Sequence, residues 1–105
     1  MNLKQLQYVL VLSSVGSFSK AAEKLNISQP SLSQYIKKIE SELGTELFVR
    51  ANGEVRLTDA GQAYVEAGRE ILSIEHQMQN QLVDIASYKS GSIIVGISPY
   101  RSFHL

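Results

Sequence analysis

Apolar residues recur at helical spacing through the first part of the chain, with small or turn-forming residues between the runs. Leu3, Leu6, Val9 and Leu10 fall on one face at steps of three and four, predicting a helix over residues 3–15 closed by Gly16. Ser17 to Ser19 offer caps for a short second helix with the body Lys20 to Leu25, where the small pair Ala21 and Ala22 suits close packing. Asn26 tolerates the left-handed conformation that ends a helix, and Ile27 is an apolar plug in the turn that follows. Ser28 caps a third helix, with Pro30 in the first turn, where a missing N–H costs nothing. That helix runs to Leu43 and stops at Gly44. Leu32, Ile36, Ile39 and Leu43 predict its buried stripe, and Ser31, Ser33, Gln34, Lys37 and Lys38 its opposite face.

Two β-prone runs follow, 47–50 and 55–57, flanking Ala51-Asn52-Gly53-Glu54. Asn-Gly between such runs predicts a hairpin, because both residues accept the positive φ of a tight turn. Thr58 then caps a long helix, with Asp59 in its first turn where a negative charge suits the dipole. Nothing stops this helix before Ser90-Gly91, a span of about 46 Å at 1.5 Å per residue. Tyr64, Ile71, Met78 and Ile85 recur every seven residues, and Ala67, Ile74 and Tyr88 lie three further on. Gln81 is the polar break in that series, with Leu82 beside it. The alternative is a helix packed along its own domain, but the stripe runs past the reach of a domain of under 60 residues, which predicts self-association through Tyr64, Ala67, Ile71, Ile74, Met78, Leu82 and Ile85. Beyond the helix, Ile93-Ile94-Val95-Gly96-Ile97 reads as a buried strand without a partner, the expected start of a second, truncated domain over 91–105.

Three helices followed by a hairpin describe a winged helix-turn-helix over 1–58, then a dimerisation helix over 59–90: a mainly α chain. Composition narrows the function classes. Apolar residues are 44% and charged residues 19% of 105, which is ordinary globular usage. The apolar run at the N-terminus, Tyr8 to Leu12, is too short for the core of a signal peptide, and no stretch reaches the length of a membrane helix. There is no cysteine, which removes disulfides and thiolate metal sites, and the two histidines, His76 and His104, are far apart, so no metal site or cofactor is expected. Ten basic side chains balance ten acidic ones. The balance is uneven along the chain: residues 1–58 carry seven Lys+Arg against five Asp+Glu, and residues 59–105 three against five.

A winged helix-turn-helix places its third helix in the DNA major groove. Here the exposed start of that helix, Gln29, Pro30, Ser31, Ser33 and Gln34, is uncharged and hydrogen-bonding, which suits base edges. Lys20, Lys24, Lys37 and Lys38 around it, with Arg50 and Arg56 on the hairpin, are candidates to neutralise phosphates.

The segment SFSKAAEKLNISQPSLSQYIKKIESELGTELFVR, followed by VRLTDAG, resembles the LysR-type transcriptional regulators over residues 3 to about 90. The likeness rests on Ala21-Ala22, Ser28-Gln29-Pro30-Ser31, Leu43-Gly44, Leu47-Phe48 with Arg50, and Leu57-Thr58 with Ala60-Gly61. It implies a bacterial, cytoplasmic regulator that binds double-stranded DNA as a homodimer. It also implies linker helices paired antiparallel, and a C-terminal domain that takes a small-molecule effector. Base contacts are implied at Gln29, Pro30, Ser33 and Gln34, and phosphate contacts at Ser31, Lys38 and Arg50. Two positions depart from the family pattern: Gln34 stands where many members have Arg, and Gly53-Glu54 where many have a basic wing tip.

Two other classes compete. A protein–protein module would use the winged helix as scaffold and the long helix as interface; steep weakening of binding with salt separates DNA from this. An enzyme would need a constellation that is missing here, since neither His lies near an Asp/Ser pair and no Gly-rich phosphate loop exists. Gly61 and Gly68 are better read as sites of close helix packing than as a motif.

Overall fold

Side-chain caps decide where the helices begin. In a computed structural model of the chain, which describes residues 2–90, Asn2 opens α1 (Leu3–Val15). Its side-chain oxygen accepts from the Gln5 N–H at 2.8 Å, and its own N–H donates to Gln5 Oε1 at 3.3 Å. This reciprocal box satisfies two donors that the first turn leaves over. Ser17 caps α2 (Phe18–Leu25) through the Lys20 N–H, and Ser28 caps α3 (Gln29–Leu43) through the Ser31 N–H. Asn26, at φ 62°, ends α2 in the left-handed conformation. The expected helix boundaries hold to within two residues.

The hairpin pairs β1 (Phe48–Ala51) with β2 (Glu54–Leu57) antiparallel, Phe48 opposite Leu57 and Arg50 opposite Val55. Asn52 and Gly53 have φ of 52° and 79°, the two positive values of a type I′ turn, whose twist matches that of the strands. α4 (Asp59–Ser90) follows directly.

The core joins Leu6, Val9 and Leu12 of α1, Phe18, Ala21 and Ala22 of α2, and Leu32, Ile36 and Ile39 of α3. Leu47, Phe48 and Val65 complete it. Two expected stripes differ from this. In α1, Leu3 is exposed and Leu10 half-buried, whereas Leu12 is fully buried. The middle of the helix, Tyr8 to Leu12, is an unbroken apolar run, so its inner face is chosen by the neighbouring helices. In α3 the stripe ends at Ile39, and Leu43 is 46% exposed. Leu43 lies in the last turn, beside the reversal at Gly44, and Leu47 beyond that reversal is the next buried residue.

Leu47 is held from two sides. The Glu40 carboxylate accepts from the N–H groups of Leu47, at 2.7 Å, and Phe48, at 3.1 Å. The Leu47 carbonyl accepts from the Thr58 N–H at 2.9 Å. Thr58 Oγ1 donates to the Glu46 carbonyl at 2.7 Å and accepts from the Gly61 N–H at 2.9 Å, so the predicted cap of α4 also ties that helix to the segment before the wing. α4 approaches so closely that a Cβ on Gly61 would stand 2.0 Å from the Leu47 oxygen.

The first compact unit extends through this contact to Arg69, beyond the expected division at 58, because the opening turns of α4 bury Gly61, Val65 and Gly68. From Glu70 the chain forms a second unit, described as far as residue 90. The strand and truncated domain expected over 91–105, and His104, lie outside the described residues.

The two helix glycines have different expected responses to alanine. Gly61→Ala meets a backbone carbonyl and should cost about 3 kcal/mol, the upper part of the range for overpacking. Gly68→Ala meets only Leu6 Cδ2 at 3.2 Å, and a gain of about 1 kcal/mol in helix propensity offsets that contact. Urea unfolding of the two variants measures the difference, and equal midpoints would contradict this account of Gly61.

Candidate nucleic-acid interface

The turn between α2 and α3 is held by backbone bonds from the Asn26 N–H to the carbonyls of Ala22 and Glu23 and from the Ile27 N–H to Ala22. Ile27 is half-buried against the core, as an apolar plug would be. The turn delivers α3 with Leu32, Ile36 and Ile39 inward. Gln29, Pro30, Ser31, Gln34, Lys37 and Lys38 are exposed, and Ser33 is half-buried. Helical spacing of four sets Gln29, Ser33 and Lys37 in one row and Pro30, Gln34 and Lys38 in the next. The uncharged side chains therefore come first along the helix and the cations follow. The Ser31 hydroxyl accepts from Ser28 Oγ at 2.8 Å, which leaves its own proton to donate outward.

Arg50 and Arg56, both candidates for phosphate from the hairpin, are separated by the pleat. Residues directly opposite in the register share a face, so Arg50 lies with Phe48, Val55 and Leu57, and Arg56 with Val49, Ala51 and Glu54. The Arg50 guanidinium carbon stands 4.2 Å from the centroid of the Phe18 ring. Arg56 meets the Glu54 carboxylate at 3.5 Å, with both side chains about two-thirds exposed. Such a pair contributes little to stability, yet it meets part of the charge expected to face a phosphate.

Two grooves run beside α3. One, of about 340 Å³, lies between Ser33 and Lys37 of α3 and Val49 and Arg50 of β1, with Phe18 and Ile36 in its lining. The other, of about 180 Å³, is lined by Ser17, Ser19 and Gln29 on one side and by Gly53, Glu54 and Val55 of the wing on the other. Phe18 and Arg50 border both.

An aromatic cluster lies apart from these grooves. The rings of Tyr8 and Tyr35 are 4.8 Å apart, and Lys4 Nζ lies 5.5 Å from one and 5.4 Å from the other. Partial burial, followed by the nearby Tyr8 and Glu42, pushes the Tyr35 phenol above its ordinary pKa. Burial, followed by Tyr35, does the same to Tyr64. Tyr64, the first of the expected seam residues, is half-buried against the core of the first unit, with its hydroxyl buried and unbonded among the described residues. The remaining seam residues are exposed: Ala67, Ile71, Ile74 at 64%, Met78, Leu82 and Ile85.

Phe18, Glu40 and Lys4 are the structural participants that sequence reading missed. Lys4 and Tyr8 carry a usable signal in their spacing of four. Among the described residues, no group of three or more His, Asp or Glu is placed to hold a metal, and no helix is long and apolar enough to cross a membrane.

Comparison with known proteins agrees with this geometry. A family model described as "Bacterial regulatory helix-turn-helix protein, lysR family" matches residues 3–62. The HTH-type transcriptional regulator BudR of Klebsiella aerogenes is 38% identical over 104 residues, covering 99% of this chain and 73% of that protein. The protein of the same name from Raoultella terrigena is 36% identical over 104 residues, and there the match covers 99% of this chain but only 36% of the relative's length. Among solved structures, "Crystal Structure of BenM_DBD/catB site 1 DNA Complex" matches with a TM-score of 0.79 at 38% identity, covering 83% of this chain and 97% of that one. The chain therefore belongs to the LysR family of bacterial regulatory helix-turn-helix proteins, and its helix-turn-helix with the wing is the DNA-binding domain of a transcriptional regulator.

Proposed function

We propose that this domain reads a specific double-stranded DNA site as one half of a homodimer, with α3 in the major groove and the long helix as the dimer contact. The observation that carries the reading is the layout of α3. Gln29, Pro30, Ser33 and Gln34 make a neutral hydrogen-bonding surface at its start, while Lys37, Lys38 and Arg50 border it. Glutamine is suited to bidentate contact with adenine, and serine to several bases. Ser31, Lys38 and Arg50 then meet backbone phosphates, which orients the helix without reading sequence. Arg56 takes a lesser part, because Glu54 competes for it.

The dimer follows from the exposed stripe Ile71, Ile74, Met78, Leu82 and Ile85, with Ala67 before it. Apolar residues repeated at heptad spacing and left open to water are what a partner helix covers. A two-fold dimer presents two identical reading heads, so the site is an interrupted inverted repeat. A cytoplasmic location, and control by a small-molecule effector through a separate C-terminal domain, accompany this reading on family resemblance.

Selection of bound sequences from a random DNA pool at physiological salt tests specific reading directly. On the selected site, Gln29→Ala should cost about 1–3 kcal/mol and relax preference at one position. Arg50→Ala should weaken selected and unrelated duplexes alike and lower the salt slope by about 0.9. Binding by the Gln29 variant that is unchanged at every position would exclude that side chain from base reading.

The paired arrangement has its own test. Met78→Asp places a charge in the apolar stripe and should shift the protein toward monomer in sedimentation. Inserting about five base pairs between half-sites, half of a roughly 10-base-pair turn, should turn one head off the DNA. Undiminished affinity for that insert would rule out paired reading and leave single-head binding.

A further inference from the structure

Phe18 is the first residue of α2 and belongs to the core, with 8% of its surface exposed. Its ring is therefore fixed by packing, and the Arg50 guanidinium lies over it at 4.2 Å. A cation over an aromatic face is attracted by the ring quadrupole, and a planar guanidinium adds stacking. The face of the group is occupied by this contact, but its N–H edge is left free to donate. Arg50 forms no salt bridge among the described residues, whereas Arg56 on the other face of the hairpin is engaged by Glu54. Arg50 also borders both grooves between α3 and the wing, beside Gln29 in one and Ser33 and Lys37 in the other.

We propose that Phe18 is a positioning residue for DNA binding: its buried ring holds the Arg50 guanidinium at the junction of α3 and the wing, ready for a backbone phosphate. A long cationic side chain ordered before binding loses less freedom when it meets its phosphate. Phe18 touches no DNA in this scheme and acts only through Arg50. The inference rests on the reading above, in which Arg50 is a phosphate contact.

The test is a double-mutant cycle on the full chain, with Phe18→Leu, Arg50→Ala and the pair, read as affinity for the selected duplex across a salt series. Arg50→Ala should lower the salt slope by about 0.9. Phe18→Leu should weaken binding about two- to fivefold and move the slope toward that of Arg50→Ala, and it should change nothing further once Arg50 is Ala. Phe18→Tyr, which keeps the ring face, should restore binding. Equal losses from Phe18→Leu in both backgrounds would mean that the ring acts through the fold alone, and the proposal falls while Arg50 remains a phosphate contact. An unchanged slope for Arg50→Ala would remove the underlying reading, and the proposal with it. A measurement on the unmutated protein does not depend on whether Phe18→Leu folds. The Arg50 side-chain protons should show upfield ring-current shifts without DNA, and shifts of an ordinary solvated arginine would overturn the proposal.

Discussion

The wing keeps its place against the helices because one peptide segment, at Leu47, is gripped by two of them. Glu40 of α3 takes its N–H, Thr58 at the start of α4 donates to its carbonyl, and Gly61 lets α4 lie against that same oxygen. The Leu47 side chain, 1% exposed, is anchored in the core below. A carboxylate accepting two backbone N–H groups makes charge-assisted bonds, which are stronger than neutral ones and directional. The end of α3, the start of β1 and the start of α4 thus share one reference point. The distance between the reading face of α3 and Arg50 on the wing depends on it.

How far the fold could be read in advance follows the range of the interactions. Caps and turns are local: Ser17, Ser28 and Thr58 bond within three residues, and Asn52-Gly53 needs only its own backbone angles. These were legible. Glu40 reaches seven and eight residues ahead, Gly61 meets Leu47, and Arg50 meets Phe18 across most of the domain, and no periodicity records such pairs. Leu12 was missed because the unbroken apolar run from Tyr8 to Leu12 does not declare the inner face of α1. Leu43 was misplaced because a regular stripe continues in sequence past the point where its partner surface ends. The candidate site divides in the same way. The surface of α3 was legible from its composition, and the roles of the two hairpin arginines were not.

Strand parity sorts those arginines. Even separation along a strand keeps side chains on one face, and the two-residue turn sets which residues lie opposite each other across the hairpin. Arg50 falls on the face that meets the core and finds an aromatic ring; Arg56 falls on the outer face beside Glu54. A one-residue change in the turn would flip one strand relative to the other and bring the two arginines to one face, since a slip in register turns every side chain of the slipped strand to the other side. The length of the wing tip is in this sense part of its chemistry, although neither Asn52 nor Gly53 carries charge.

The neutral start of α3 has a consequence for how the protein ranks its sites. Counterion release makes affinity fall with salt in proportion to the phosphates neutralised, and that number is the same for every sequence the domain docks on in one geometry. In the proposed reading, discrimination between bases falls to Gln29, Ser33 and Gln34, which carry no charge and release no ions. A neutral Gln34 adds no cation to this surface that would mix the two effects. A rise in ionic strength therefore lowers occupancy everywhere on the DNA together, while the order of preference among competing sites is preserved.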